Sequence, residues 1–420
     1  MNDMSLDLFP CPETQPEAID RGILLPRAYP QAIKYMGSKA AILGFIGDGL
    51  SKVYSPGRPI VDLFAGACAI SGGFGHLGKI ISNDIQSYSA VIASVYLFRA
   101  ERLAAFDVIR LAKPHFEHLM TEIPDSVRYP LNCSLEHFNI VEMLNRSLIE
   151  KSFDTQYHLF TKYYSGTWWS AEQCAWFDSI RMVLDQLLAE AKIEMSDFNL
   201  GLTCLMHAMA YTSQGTGHYA QYRDAKDESS MRDINKYRHA AVPDYFDRKK
   251  AQLQAWINTN TFSNDHELRA QDYRECLASV PSSVVYADPP YAFVHYSRFY
   301  HAIETMVRYD YPTLQISKGQ LVKGRYREDR HQSPFCIRTQ VGGAFTSLFD
   351  GVKDSGSDLL LSYSNTGMIA IEELIDLAHR EFGAGYKVWV ENTNHDHMTM
   401  GRKQDRKRAV EESLIIAQKV

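Results

Sequence analysis

Ser283-Val284-Val285-Tyr286-Ala287-Asp288-Pro289-Pro290-Tyr291 is the stretch from which the fold of this chain can be read. Val284 to Ala287 is a short apolar run of the kind that forms a buried strand. Two prolines follow the acid. They lack the N–H that would continue a ladder and fix φ, so the strand must stop in a rigid corner. Open α/β sheets bind ligands at the carboxyl ends of their strands. The corner therefore fixes a carboxylate, prolyl carbonyls and an aromatic ring where a ligand would sit. That set suits an aromatic amine. Asp288 and the Pro289 carbonyl can accept its two amino hydrogens, and Tyr291 can stack on its ring. The plainer alternative is a proline-rich loop with an aspartate capping a helix.

Working outward, Ile60-Val61-Asp62-Leu63-Phe64 is a second apolar run and closes on the small-residue turn Ala65-Gly66-Ala67. Glycine there lets the backbone approach a ligand closely. Ile80-Ile81-Ser82-Asn83-Asp84 is a further short strand, and an acid at its end is placed for ribose hydroxyls, as in dinucleotide folds. Ahead of both lies the basic turn Lys34-Tyr35-Met36-Gly37-Ser38-Lys39. Glu267–Ala270 and Leu359–Tyr363 extend the strand set, with a helix expected over Met368–Glu381. Lys387–Val390 and Ser413–Ile416 read as a terminal hairpin. Strands alternating with helices imply a mainly parallel sheet covered on both faces, with one antiparallel strand at the end.

Between the early and late strands the pattern changes. Val91–Leu111 has helical character. Trp176, Phe177, Ile180, Val183, Leu184, Leu187 and Leu188 recur at amphipathic spacing, and Phe198–Tyr211 reads as another helix. We expect an arm over residues 1–30, a catalytic domain built from 31–98 and 255–420, and an inserted, mostly helical domain over 99–254. Trp168-Trp169 suits a core or a domain interface better than a base-stacking platform.

Composition narrows the classes. The chain has 420 residues, 45% hydrophobic and 22% charged, with a formal charge of −6. No apolar run approaches the roughly 18 residues of a membrane span, and the N-terminal stretch lacks the pattern of a signal peptide. The seven cysteines show no C-x-x-C spacing, which points to a reducing cytoplasm and no zinc site. His395-Asp396-His397 offers two imidazoles without an evident third ligand, so no metal is expected. Overall acidity does not favour nucleic-acid binding, but basic clusters exist at Arg248-Lys249-Lys250, Lys318–Arg330 and Arg402–Arg408, each of which could also be solvated surface.

In order along the chain, these segments resemble the D12 class of adenine-specific DNA methyltransferases, the group that includes the Dam enzymes. Lys34–Lys39, with Tyr35, Gly37 and Lys39, resembles the family's stretch that holds the methionine end of S-adenosylmethionine. Asp62-x-Phe64-x-Gly66 resembles its glycine loop, Asp84 its ribose contact, and Asp272 within Gln271-Asp272-Tyr273 its contact to the cofactor's adenine. Asp288-Pro289-Pro290-Tyr291 matches the catalytic motif in full. The chain departs from the family at Cys68, where glycine is usual, a change that bears on cofactor affinity. The resemblance implies a Rossmann-like methyltransferase sheet and double-stranded DNA as substrate. It further implies a target-recognition role for the insertion, a restriction or defence component as partner, and a cytoplasmic setting. Lys323, Arg325, Arg327 and Arg330 are expected to meet DNA phosphates, and Gln221, Tyr222 and Arg223 could read bases or be a solvated loop. RNA adenine, a cytosine N4 group, or a silent DNA-binding module with the same fold remain alternatives.

Overall fold

The computed structural model describes residues 24–420 apart from 216, 263–264, 291–294, 366 and 399–406, with only the backbone of 394–398 and 407–411. Tyr291 and residues 402–406 of the last basic cluster lie outside the described residues, as do the side chains of His395, Asp396 and His397.

In chain order the strands are β1 Ile60–Asp62, β2 Ile80–Asn83, β3 Glu267–Arg269, β4 Val284–Ala287, β5 Ile316–Ser317, β6 Gln320–Leu321, β7 Asp358–Ser364, β8 Tyr386–Met398 and β9 Lys407–Lys419. Seven of them form one sheet in the order β3–β2–β1–β4–β7–β9–β8, and β5–β6 is a separate small ribbon. From β3 to β7 every pairing is parallel. β9 runs antiparallel between β7 and β8. The expected hairpin is present, and its strands are far longer than the apolar cores that announced them.

The central parallel strands β1, β2, β4 and β7 are wholly buried because both faces are covered. Side chains alternate across a strand, so Ile60, Ile80, Val284 and Leu360 enter one core while Val61, Ile81, Val285, Leu359 and Leu361 enter the other. The second core is closed by helices Tyr273–Ser279, Val341–Asp354 and Ile371–Phe382. The first is closed by Ser87–Leu97 and by the helical stretch, including Ala171–Ala189 and Met195–Thr212. Trp168 and Trp169 are fully buried in this same core, so the helical stretch and the sheet share one apolar interior.

Two local expectations are revised. The helical signal over Val91–Leu111 is two helices, Ser87–Leu97 and Val108–Thr121. Asp197 accepts the Arg102 and Leu103 N–H groups (2.8 and 3.0 Å) in the break between them, and Asp107 caps the second helix at Arg110 N (2.9 Å). Each aspartate accepts from the orphan N–H donors of a new helix start, which ends the periodic run. Residues 24–30 of the expected arm are built into the fold. Arg27 donates to the carbonyls of Gly72 (3.0 Å) and Tyr96 (2.8 Å), and Trp256 donates to Ala28 O (3.0 Å).

Candidate active site at the switch point

The strand order reverses between β1 and β4, and the crevice at such a point is where open α/β sheets hold ligands. Parallel register sets Asp62 beside Tyr286. The turn after β1 and the Asp288 corner after β4 therefore open onto the same space. A cavity lined from both sides occupies it, with about 1090 Å³ of empty space, open solvent included. Its lining brings together Tyr35, Gly37, Lys39, Asp62, Phe64, Gly66, Asp84, Asp272, Asp288, Pro289 and Pro290. Those eleven residues come from five separated parts of the sequence, all singled out above.

The turn after β1 is held on both sides. Gly66 has φ +50, donates its N–H to Asp84 (3.0 Å) and accepts from the Ser89 hydroxyl (2.7 Å). A Cβ at Gly66 would lie 2.8 Å from the Tyr35 hydroxyl oxygen. Tyr35 is itself stacked on Tyr300 (centroids 4.5 Å) and Tyr296 (5.6 Å). Gly37, φ +75, meets Tyr296 Oη in the same way. Cys68 also has positive φ, 62°, which gives a physical reason for glycine at that position. Its Sγ lies 3.1 Å from Ser89 O, and it is absent from the residues lining the cavity.

Four aspartates, Asp62, Asp84, Asp272 and Asp288, stand in the polar lining. Asp62 is 2% exposed, and its Oδ2 has no hydrogen-bond partner among the described residues. Burial, then the nearby Asp84 and Asp288, raises its carboxyl well above the usual range. Burial pushes Asp84 up to about 6 against the opposing N–H bonds of Gln86 and Gly66. Lys39 Nζ sits 3.2 Å from Asp288 Oδ1. Asp272 caps the following helix at Arg274 N (3.0 Å) and pairs with the Arg274 guanidinium (2.8 Å). A clustered set of carboxylates with an orphan buried oxygen fits a cationic ligand.

One wall is aromatic. Phe64, Tyr273 and Phe335 form a cluster with centroids 5.2–5.7 Å apart. Phe335 was not anticipated, because its segment was read for charge. The apolar Phe335-Cys336-Ile337 run just after the basic Lys318–Arg330 stretch was the available signal that the chain returns to the core.

The four basic candidates separate by environment. Arg327 is 2% exposed and bonds both oxygens of Asp310 at 2.7 Å, with Asp329 beside it. Arg325 is 6% exposed. Neither presents its guanidinium to an approaching duplex as the sequence reading expected, because both side chains are buried in the fold. Lys323 and Arg330 are half-buried. Lys323 pairs with Asp224 and lies 4.8 Å over the Tyr222 ring, and Arg330 lies 5.6 Å over Tyr326. Arg223 pairs with Asp233 at 2.6 Å. Among the described residues no group of His, Cys, Asp and Glu could hold a metal, and no helix is long and apolar enough to cross a membrane.

Sheet order, switch-point cavity and acid–proline–proline corner together define a Rossmann-like methyltransferase domain. The profile of the D12 class N6 adenine-specific DNA methyltransferase family matches residues 35–108 and 211–340 of the chain. The unmatched gap falls within the helical stretch. The chain is 22% identical to Modification methylase LlaI of Lactococcus lactis subsp. lactis over 83% of its length and 49% of that protein. It is 24% identical to Type II methyltransferase M.FokI of Planomicrobium okeanokoites over 81% of its length and 46% of that protein. It also matches Type II methyltransferase M.NlaIII of Neisseria lactamica, 18% identical over 83% of the chain and 88% of that protein. The chain thus spans about half the length of the first two relatives.

Proposed function

We propose that this chain methylates the N6 of adenine in double-stranded DNA, taking the methyl group from S-adenosylmethionine and acting on a flipped base within a specific sequence. One observation carries the reading: the Asp288-Pro289-Pro290 corner and the Gly66 turn share one acid-lined cavity. The bound cofactor supplies an electrophilic methyl on a sulfonium. Asp62, with its orphan oxygen, faces the cationic methionine end together with the Tyr35–Lys39 turn. Asp84 takes the ribose hydroxyls, Asp272 the adenine amino group, and Phe64, Tyr273 and Phe335 the adenine ring.

The target's amino lone pair is delocalised into its ring, so the nitrogen is a poor nucleophile. Asp288 and the Pro289 carbonyl accept its two hydrogens and favour a pyramidal nitrogen aimed at the methyl. Rate enhancement then comes from orientation and fixed charge. Tyr291 stacks on the extruded base, returning roughly 1–3 kcal/mol of the ~few kcal/mol that flipping costs. Lys323 and Arg330 supply phosphate contacts from this loop, while Arg325 and Arg327 hold the loop itself. The helical insertion, residues 99–254, reads the target sequence. The setting we propose is the cytoplasm, beside a cognate restriction or defence component.

Expression in a methylation-deficient host, followed by nucleoside mass spectrometry of its DNA, tests the proposal. N6-methyladenine is expected. Only N4-methylcytosine, or no modified base from a folded protein, overturns it. Asp288→Ala is expected to erase the signal with the melting curve retained; persistent N6-methyladenine in that variant defeats the assigned mechanism.

A further inference from the structure

Glu412 was not among the residues that the sequence singled out. It sits on β9 with no exposure to solvent, and its Oε1 lies 3.2 Å from Lys39 Nζ. The same ammonium lies 3.2 Å from Asp288 Oδ1 and is itself buried, 5% exposed. Ser362 of β7 donates to Glu412 Oε2 at 3.4 Å, while the Ser38 cap fixes the turn that carries Lys39. One buried cation is thus shared between an acid of the catalytic corner after β4 and an acid on the antiparallel strand β9, two places along the sheet. A fully buried carboxylate is costly unless paired. This one is paired with the single lysine that also touches Asp288.

We propose that Glu412 is a positioning residue for methyl transfer, acting through Lys39 on Asp288. The inference rests on the methyltransferase reading above. By drawing part of the ammonium's charge, Glu412 moderates the pull of Lys39 on Asp288. Asp288 thereby stays oriented through Oδ1 while keeping its strength as an acceptor toward the amino group of the base. With a neutral residue at 412, the full charge of Lys39 falls on Asp288, and its oxygens become weaker acceptors. Other groups face the same corner: Asp62 at the end of β1, with Asp84 beyond it, and Tyr286 on β4. Their charges are unchanged by substitution at 412.

The test is Glu412→Gln, which keeps the shape and the hydrogen-bonding oxygen but removes the charge. Single-turnover transfer of labelled methyl from S-adenosylmethionine to methylation-free genomic DNA is followed from pH 5.5 to 9, and cofactor affinity is measured separately. The expected result is a five- to fiftyfold slower single turnover with cofactor Kd within twofold of wild type. The acid limb of the rate profile moves to lower pH, because a neighbouring negative charge no longer opposes ionisation of Asp288. A merely structural role would leave that limb where it is. Unchanged rate and limb in a folded Glu412→Gln protein overturn the inference. Should that variant not fold, Ser362→Ala keeps every charge and loosens Glu412. A two- to fivefold slower single turnover supports the inference, and a wild-type rate overturns it. A wild-type protein that transfers no methyl to adenine instead defeats the underlying reading, so the two failures are distinguishable.

Discussion

Gly66→Ala adds one methyl group at the point where the cavity, the glycine turn and the tyrosine stack meet. The backbone at Gly66 has φ +50, a left-handed conformation costing an L-residue about 1–2 kcal/mol. The new Cβ would stand 2.8 Å from Tyr35 Oη and 3.0 Å from its ring carbons, and such overpacking costs about 1–3 kcal/mol more. Neither side can yield cheaply. The Gly66 peptide is tied to Asp84 and Ser89, and Tyr35 is flanked by Tyr300 and Tyr296 with Tyr88 donating to its oxygen at 3.3 Å. The sum is ~2–5 kcal/mol. With an unfolding entropy of about 2.1 cal/mol/K per residue, a chain of 420 residues unfolding as one unit would lose ~2–6 °C in Tm. Differential scanning calorimetry reads that shift, and titration calorimetry with S-adenosylmethionine reads the expected tenfold or greater loss of affinity. Gly343→Ala is the control, since a Cβ there meets nothing within 4 Å. It lies in a helix and should be neutral or stabilising by about 0.5–1 kcal/mol. A Gly66→Ala protein that melts and binds like wild type would refute the account of the turn.

Asp84 predicts a pH dependence. Its carboxyl is pushed up to about 6, so below that pH it carries a proton and is a weaker acceptor for the ribose hydroxyls. Cofactor affinity should be flat above pH 7 and fall as pH drops through about 6, by at most tenfold per unit; titrations of wild type and Asp84→Asn check this, with the dependence reduced in the variant. Arg327→Met breaks the pairing with Asp310 and Asp329, and because those acids are partly exposed we expect a loss of about 1–2 kcal/mol on chemical denaturation. Lys323→Ala should leave stability unchanged, weaken DNA binding similarly for all sequences, and lower the salt slope of log K by about 1. Equal melting temperatures for Arg327→Met and wild type would show that the buried pair is not structural.

Several elements were legible because their signals are local. The apolar runs at Ile60, Ile80, Val284 and Leu359 announce buried parallel strands, and the two prolines after Asp288 fix where β4 ends. The helix over Ala171–Ala189 follows from spacing, with Ser170 and Gln173 forming its capping box. Other elements were not legible. The break after Leu97 depends on Asp197 reaching back from a distant helix to cap Arg102 and Leu103. The burial of Arg325 and Arg327 depends on what packs over them, and a basic run carries no such information. Phe335 was obscured by the charge around it.

The sequence by itself determined the strand–helix order, the catalytic corner and the residues of the glycine turn, because each is written in the short-range chemistry of neighbouring residues. Only the tertiary structure decided which acids share one cavity, which arginines are buried, and that Lys39 joins Asp288 to a glutamate 373 positions away. Those facts depend on sheet order and on a β9 that runs antiparallel beside β7. Pairing across such distances is set by packing of the whole sheet, and no local pattern encodes it.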